Sequence, residues 1–518
     1  MKRYSSKKLR VLIFAVAGAL LLLLGSWLLL RERSVEELYG EYPEGVEAYR
    51  PGVRNTRAPR PNVIIIYVDD LGYGDLGVQG NVLIDTPNID RVAREGLRFT
   101  QFYSSAAVCA PARAALLTGR YPFRTGIIGN TYPEDEPIGR RLARTFGVLT
   151  RELGVLDIRE KYVARGLAAE ELTLAEGLAA AGYRTAMMGK WHLGDYSRDP
   201  RYNPTRHGFD HYLGVPYSND MVPLPLYRNE TMLEADLGLD KDQARLTPLY
   251  TEEALAFVRE HLEEHRDEPF FLYVAHTFPH QPLFASPEFA GQSQAGPFGD
   301  AVEEIDWSVG ELLSLLGEED VAEDTLVIFS SDNGPWYEGS AGGLRGRKGQ
   351  SFEGGFRVPF LARWPGRIDS GGVIDEPAMG IDLLPTIFEL AGLEIPADRI
   401  VDGESLAPLL LDPGSSLPER PLYFYHYDKL EAVRLGEWKY YPRVHRYTWP
   451  IPLDAASIPD AMAAGQLGTR WPLLYNLERD PGEAYNLLDH DPGVAEELRQ
   501  LLHEWLRMER ENPRGFLE

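Results

Sequence analysis

Four short apolar runs lie between residues 62 and 330: Asn62–Val68, Thr185–Met188, Phe270–Ala275 and Leu326–Ser330. Each is continuous rather than alternating, which is the pattern of a strand buried on both faces. Between them lie stretches of helical pattern. Glu134 to Gly182 is the longest, and it is rich in Ala, Leu, Glu and Arg. Strands alternating with helices predict an α/β fold, a mixed or parallel sheet flanked by helices. Residues 139–166 look like a helical insertion on the surface of that layer. The pattern changes near residue 396. Leu430–Tyr441 and Leu473–Leu477 read as strands, and Asp480-Pro481-Gly482 as a turn. Asp491 is placed to cap a last helix that keeps Val494, Leu498, Leu501, Leu502 and Trp505 on one face. The expected organisation is a main α/β domain over 61–395 and a smaller α+β subdomain over 396–518.

The other end of the chain has a different pattern. Lys2, Arg3, Lys7, Lys8 and Arg10 precede Val11–Leu30, which is uncharged and almost wholly apolar. That run is long enough to span a bilayer, and the basic flank favours an inside N-terminus. No small-x-small cleavage site follows it. We therefore expect a signal anchor over 1–33, a charged linker over 34–60, and a catalytic part outside the cytoplasm, periplasmic or extracellular. A cleaved secretion signal is the alternative.

Charge and cysteine content narrow the chemistry. The formal net charge is −25, which excludes a general nucleic-acid binder, since that needs a basic footprint. Any anion site must be a local positive island in a negative field. The chain has a single cysteine, Cys109, so the fold holds without an internal disulfide. A lone Cys is either a small buried hydrophobe or a residue with a chemical task.

Candidate chemistry collects at the ends of the four apolar runs. Val68 leads into Asp69-Asp70, Met188 into Gly189-Lys190-Trp191-His192, Ala275 into His276-Thr277-Phe278-Pro279-His280, and Ser331 into Asp332-Asn333. Ligands of open α/β sheets bind at the carboxyl ends of strands, so one converged site is predicted. Asp69, Asp70, Asp332 and Asn333 are oxygen donors, which suit Ca²⁺ or Mg²⁺. Adjacent carboxylates repel unless a cation lies between them. Cys109 opens Cys109-Ala110-Pro111-Ala112-Arg113, followed by Leu117-Thr118-Gly119-Arg120. A helix starting there would set residue 109 at an N-terminus that favours anions, with Pro111 at its first position. Arg113, one turn on, reads as an anion or carboxylate partner or as a structural salt bridge. Lys190 and Lys348, the latter in the Gly-rich basic loop Leu344–Gly349, are candidate clamps for a tetrahedral anion. For Lys348 a solvated basic face is the alternative.

The Cys109 segment resembles the signature of type I sulfatases, in the arylsulfatase A and N-acetylgalactosamine-6-sulfatase branch. So do Asp69–Gly77, Gly189–Gly194, Arg347-Lys348-Gly349 with Glu353-Gly354-Gly355, and Pro216-Tyr217-Ser218. Ala112 stands where many members have Ser. The resemblance implies an alkaline-phosphatase-like core and oxidation of Cys109 to formylglycine (3-oxoalanine) by a formylglycine-generating enzyme. It implies Ca²⁺, or Mg²⁺, held by Asp69, Asp70, Asp332, Asn333 and residue 109, and a sulfate-contacting Ser218. The family's His-x-Pro matches His280 rather than His276. The implied reaction is covalent hydrolysis of a sulfate ester on a small molecule or glycan. In it the hydrated aldehyde attacks sulfur, His280 and Lys348 serve the leaving oxygen, and His192 takes the proton that releases sulfate. A phosphodiester or phosphonate hydrolase on the same scaffold is the second reading, and a non-catalytic binding protein with a decayed site the third. Tyr440 and Trp449 are candidates for stacking on sugars or for core packing.

Overall fold

All four apolar runs are strands, and they lie side by side in one sheet. The computed structural model describes residues 33–43, 52, 57–134, 139, 142, 162–412, 414–444 and 471–517. The main sheet contains β1 (Asn62–Val68), β2 (Leu97–Phe99), β3 (Arg184–Lys190), β4 (His211–Val215), β5 (Leu226–Arg228), β6 (Thr231–Glu234), β7 (Phe270–Ala275), β8 (Thr325–Ser331), β9 (Phe360–Arg363) and β10 (Gly372–Ile374). Its spatial order is β10-β2-β9-β8-β1-β7-β3-β4-β5-β6. The centre, β8-β1-β7-β3-β4, is parallel throughout. Antiparallel pairs flank it at β8-β9, β9-β2, β4-β5 and β5-β6.

Both faces of this centre are apolar, as continuous runs require. The flanking helices are α1 (Pro87–Glu95), α2 (Cys109–Thr118), α3 (Leu174–Ala180), α4 (Leu246–Glu264), α5 (Gly296–Glu318) and α6 (Leu383–Ala391). Val63, Ile65 and Tyr67 of β1 pack with Ala114 and Leu117 of α2, Leu178 of α3 and Phe388 of α6. Ile64, Ile66 and Val68 pack with Val92 of α1, Val258 of α4 and Leu312 of α5. Each such fully buried aliphatic side chain contributes about 1.5–3 kcal/mol. With the strands pinned on both faces, their carboxyl ends finish together on one edge.

A second sheet of β11 (Leu422–His426), β12 (Lys429–Leu435), β13 (Trp438–Tyr441) and β14 (Leu473–Asn476) is a plain antiparallel meander in chain order. The stretch expected to be strand over 430–441 is two strands, turned at Gly436, whose φ of 55° suits glycine. β11 was not foreseen. The last helix, α7 (Pro492–Glu511), packs Leu498 and Leu502 into the same apolar cluster as this sheet. Its Trp505 ring stacks on Tyr423 at 4.0 Å. Asp491 precedes α7 but makes no side-chain cap, because its carboxylate lies 2.9 Å from the His490 ring. Tyr440 is buried and is a packing residue, whereas Trp449 lies outside the described residues.

Most of the insertion expected over 139–166 also lies outside the described residues. Of the helical pattern to its C-terminal side, the described part forms only α3, started by a capping box of Thr173 and Glu176. Among the described residues no helix is long and apolar enough to cross a membrane. The apolar run 11–30 of the anchor expected over 1–33 lies outside them.

Candidate active site

The four strand ends deliver their polar residues to one place. β1 and β8 are hydrogen-bonded neighbours, and just past them the Asp70 N–H donates to Asp332 Oδ1 at 3.2 Å. Asn333 Nδ2 donates to Asp70 Oδ1 at 2.7 Å. β3 brings Lys190, whose ammonium pairs with Asp69 Oδ2 and lies 3.2 Å from Ser218 Oγ. Gly189 makes this approach possible, since a Cβ there would meet Ala275 O of β7 at 1.9 Å. The chain turns sharply at two of these ends. Asp70 and His192 are non-glycine residues with φ of 66° and 61°, a conformation that costs of order 1–3 kcal/mol and concentrates at functional sites.

α2 begins at Cys109 itself, so Pro111 sits third rather than first. Val108 ahead of it is extended, and the helix is buried along its whole length. Cys109 Sγ lies 3.2 Å from Asp69 Oδ1 and 4.0 Å from Asp70 Oδ1. Lys348 Nζ reaches it from the opposite side at 3.4 Å, and lies 2.7 and 2.8 Å from the two oxygens of Asp70. One turn along α2, the Arg113 guanidinium forks onto Asp332 Oδ2 at 3.0 and 2.8 Å. Its Nη1 donates to the backbone oxygen of Lys190 at 2.8 Å. Arg113 is therefore a carboxylate partner, and it ties β8, β3 and α2 together.

Burial and charge act on every titratable group here. Burial raises the Asp69 carboxyl, but Lys190, with His280, Arg113 and Lys348, holds it well below the usual carboxylate range. Burial and the Asp69 charge push Asp332 up to about 7 against the pull of Arg113. Burial lowers Lys348, and Asp70 more than restores it, keeping the ammonium charged. Burial, then Asp332 and Asp69, push the Cys109 thiol well up. A thiol so held is a poor nucleophile, because the thiolate is the reactive form. Burial, then the charges of Lys190 and Arg113, lower His192 far below the usual imidazole value. Both His192 ring nitrogens are buried without a hydrogen-bond partner among the described residues.

His280 stands on the other rim. Its Nδ1 faces two acceptors, Asn219 Oδ1 at 2.9 Å and Gln281 O at 2.6 Å, which assigns the proton to Nδ1. Nε2 is left 3.8 Å from Asp70 Oδ2. Ser218 Oγ sits 3.4 Å from the His280 ring nitrogens and so joins His280 to Lys190. His276 is buried, and neither ring nitrogen has a hydrogen-bond partner among the described residues.

The residues expected to bind a cation divide in two. Ligand atoms of Asp69, Asp70, Cys109 and His280 all lie within 4.8 Å of one another. Asp332 falls outside that group, its Oδ2 turned to Arg113. Asn333 Oδ1 is buried and has no hydrogen-bond partner among the described residues. An orphaned carbonyl oxygen beside two carboxylates fits a hard cation. Asn219, which orients His280, was not singled out from the sequence. Its only signal there is its place directly after Ser218.

Known proteins resemble this chain over most of its length. The family model described as Sulfatase matches residues 61–393. Two C-terminal models, "N-sulphoglucosamine sulphohydrolase, C-terminal" and "C-terminal region of aryl-sulfatase", match 347–449 and 417–512. The chain is 38% identical to the N-acetylgalactosamine-6-sulfatase of Canis lupus familiaris, over 84% of this chain and 83% of that protein. It is 39% identical to human arylsulfatase A, over 85% of this chain and 86% of the relative. Among solved structures, the PsFucS1 sulfatase from Pseudoalteromonas sp. superposes with a TM-score of 0.71 at 27% identity, covering 89% of this chain and 92% of that one.

Proposed function

The chain belongs to the sulfatase family and hydrolyses sulfate esters, and on that premise we propose how its own residues do so. The observation that carries the proposal is the position of residue 109, held between the Asp69 carboxylate at 3.2 Å and the Lys348 ammonium at 3.4 Å. Lys190, Lys348 and Ser218 grip the sulfate oxygens. Arg113 keeps Asp332 and the Lys190 backbone in place. A hard dication, Ca²⁺ or Mg²⁺, held by Asp69, Asp70, Asn333 and residue 109, and by Asp332 once an oxygen turns from Arg113, would add positive charge where Arg113, Lys190 and Lys348 only balance three aspartates, and would polarise a sulfate oxygen. Formylglycine at 109 would supply, as its hydrate, one hydroxyl to attack sulfur and a second to release sulfate. His280, its Nδ1–H committed to Asn219 and Gln281, would take at Nε2 the proton that the attacking hydroxyl gives up and pass it to the leaving oxygen. Lys348 offsets the charge that develops there. His192, buried and neutral with both nitrogens open, takes up the proton that accompanies sulfate release.

The substrate we infer is a sulfated glycan or small sulfated molecule, in keeping with the names of the relatives. The apolar run 11–30 after a basic segment supports export of the catalytic part. A formylglycine-generating enzyme is the implied maturation partner.

The test compares wild type with Cys109→Ala, both made alongside such an enzyme, on 4-nitrophenyl sulfate and bis(4-nitrophenyl) phosphate. We expect faster sulfate than phosphodiester turnover, an aldehyde mass on the residue-109 peptide, and background rates for the variant. Faster phosphodiester turnover, or an active Cys109→Ala, overturns the proposal.

A further inference from the structure

Beside the site runs a cleft of about 700 Å³, within the range of ligand-sized pockets. Trp336, Tyr337, Leu344, Arg347 and Gln350 line it, and so does Lys348. Lys348 thus links the two: it lines the cleft, and its ammonium lies against Asp70 and Cys109. The cleft wall continues from the end of β8, since Trp336 and Tyr337 follow Asp332 and Asn333 within the same loop. On its other side the loop is tied to His280, because Glu338 accepts a hydrogen bond from Gln281. A substrate whose leaving oxygen lies between Lys348 and His280 therefore meets this loop with the next part of its body.

The loop presents an aromatic face. Tyr337 is 63% exposed, an unusual place for a large ring in a chain that buries most of its others. Trp336 meets it edge-on, with ring centroids 4.9 Å apart. Arg347 lies 5.8 Å from the Tyr337 ring and is itself fixed, with Nη1 donating to Trp336 O and Gly339 O at 2.7 Å each. An exposed ring in a cleft that also carries the polar side chains of Arg347 and Gln350 matches the two-sided chemistry of a pyranose, whose C–H face stacks while its hydroxyls hydrogen-bond.

We propose that Trp336, Tyr337 and Arg347 form a saccharide subsite that receives a pyranose ring of the sulfated substrate; this rests on the sulfate-ester reading above. The subsite selects glycan esters over small aryl esters through binding rather than through the chemical step. Tyr440, which is buried, takes no part.

The test assays wild type, Tyr337→Ala, Trp336→Ala and Tyr337→Phe. The probes are 4-nitrophenyl sulfate and a set of mono- and disaccharides carrying a single 4-O- or 6-O-sulfate on galactose or N-acetylgalactosamine. We expect kcat/KM on the best saccharide to fall about tenfold or more relative to the aryl ester in the two Ala variants, mostly in KM. Tyr337→Phe, which keeps the ring, should stay close to wild type. Equal losses on both probe classes, no loss on the saccharide, or wild-type turnover of the aryl ester with no saccharide cleaved would each overturn the subsite while leaving sulfate-ester hydrolysis standing. No turnover of any probe by aldehyde-bearing enzyme would overturn both.

Discussion

Arg113 holds the site together through one planar group. It spans a carboxylate from β8 and a backbone oxygen from β3 while standing on α2, and it is wholly buried. A buried ion pair adds little net stability, but removing one partner strands the other. Arg113→Met should therefore lower unfolding stability by about 3–5 kcal/mol, read from denaturant midpoints. Arg113→Lys keeps the charge yet cannot reproduce the fork, so it should fall between the two. A Met variant as stable as wild type would show that Asp332 finds another partner.

At the scale of elements, the C-terminal sheet supports the basic loop. Lys439 on β13 pairs with Glu353 at 2.8 Å and donates to Ser351 O at 3.2 Å. Ser351 Oγ donates to Glu431 of β12 at 2.6 Å, and Arg345 reaches the Tyr475 hydroxyl of β14 at 2.9 Å. Lys348 lies between these anchors. Lys439→Met should loosen the loop and slow turnover of 4-nitrophenyl sulfate, by up to about 10²-fold for a displacement near 1 Å, with the loss in kcat. Rates equal to wild type at a temperature where the variant stays folded would refute the link. These elements also show what the sequence could and could not announce. Four of the central parallel strands and their polar ends were legible, β4 excepted, because continuous apolar runs have one use in a sheet, and because acidic and basic residues stop them abruptly. Cys109 and Lys348 were legible because their neighbours form long, specific patterns. The orientation of Asp332 toward Arg113 was not, since a carboxylate has two oxygens and only packing decides where each points. Nor were Asn219 and the Trp336–Tyr337 face, whose meaning depends on which loops lie beside them. β11 went unnoticed because an apolar run before a tight turn reads equally well as core filler.

Across the whole molecule, buried carboxyls set a pH preference. Burial pushes Glu176, Glu304 and Asp306 up to about 7, against the hydrogen bonds each accepts. As pH rises from the ordinary carboxylate value toward 7, the unfolded chain releases protons that the folded chain keeps, so stability declines. Glu353 works in the opposite sense: burial raises it, but Lys439 and the nearby arginines hold it down at about 2. Its contribution is complete above about 4.5 and is lost only on further acidification. The thermal midpoint should thus peak at mildly acidic pH and be lower at pH ~8. Scanning fluorimetry across that interval checks this, and a midpoint that climbs steadily to pH ~8 would contradict it.

One further property belongs to the molecule as a whole. The only thiol in the chain is also the group that the proposed formylglycine maturation would consume, and in the folded state that sulfur is shut away from solvent. A maleimide dye added after denaturation therefore has at most one place to react, and only on copies that escaped oxidation. If maturation proceeds as proposed, dye bound per polypeptide gives the unconverted share of any preparation, so specific activity can be corrected to the converted copies alone.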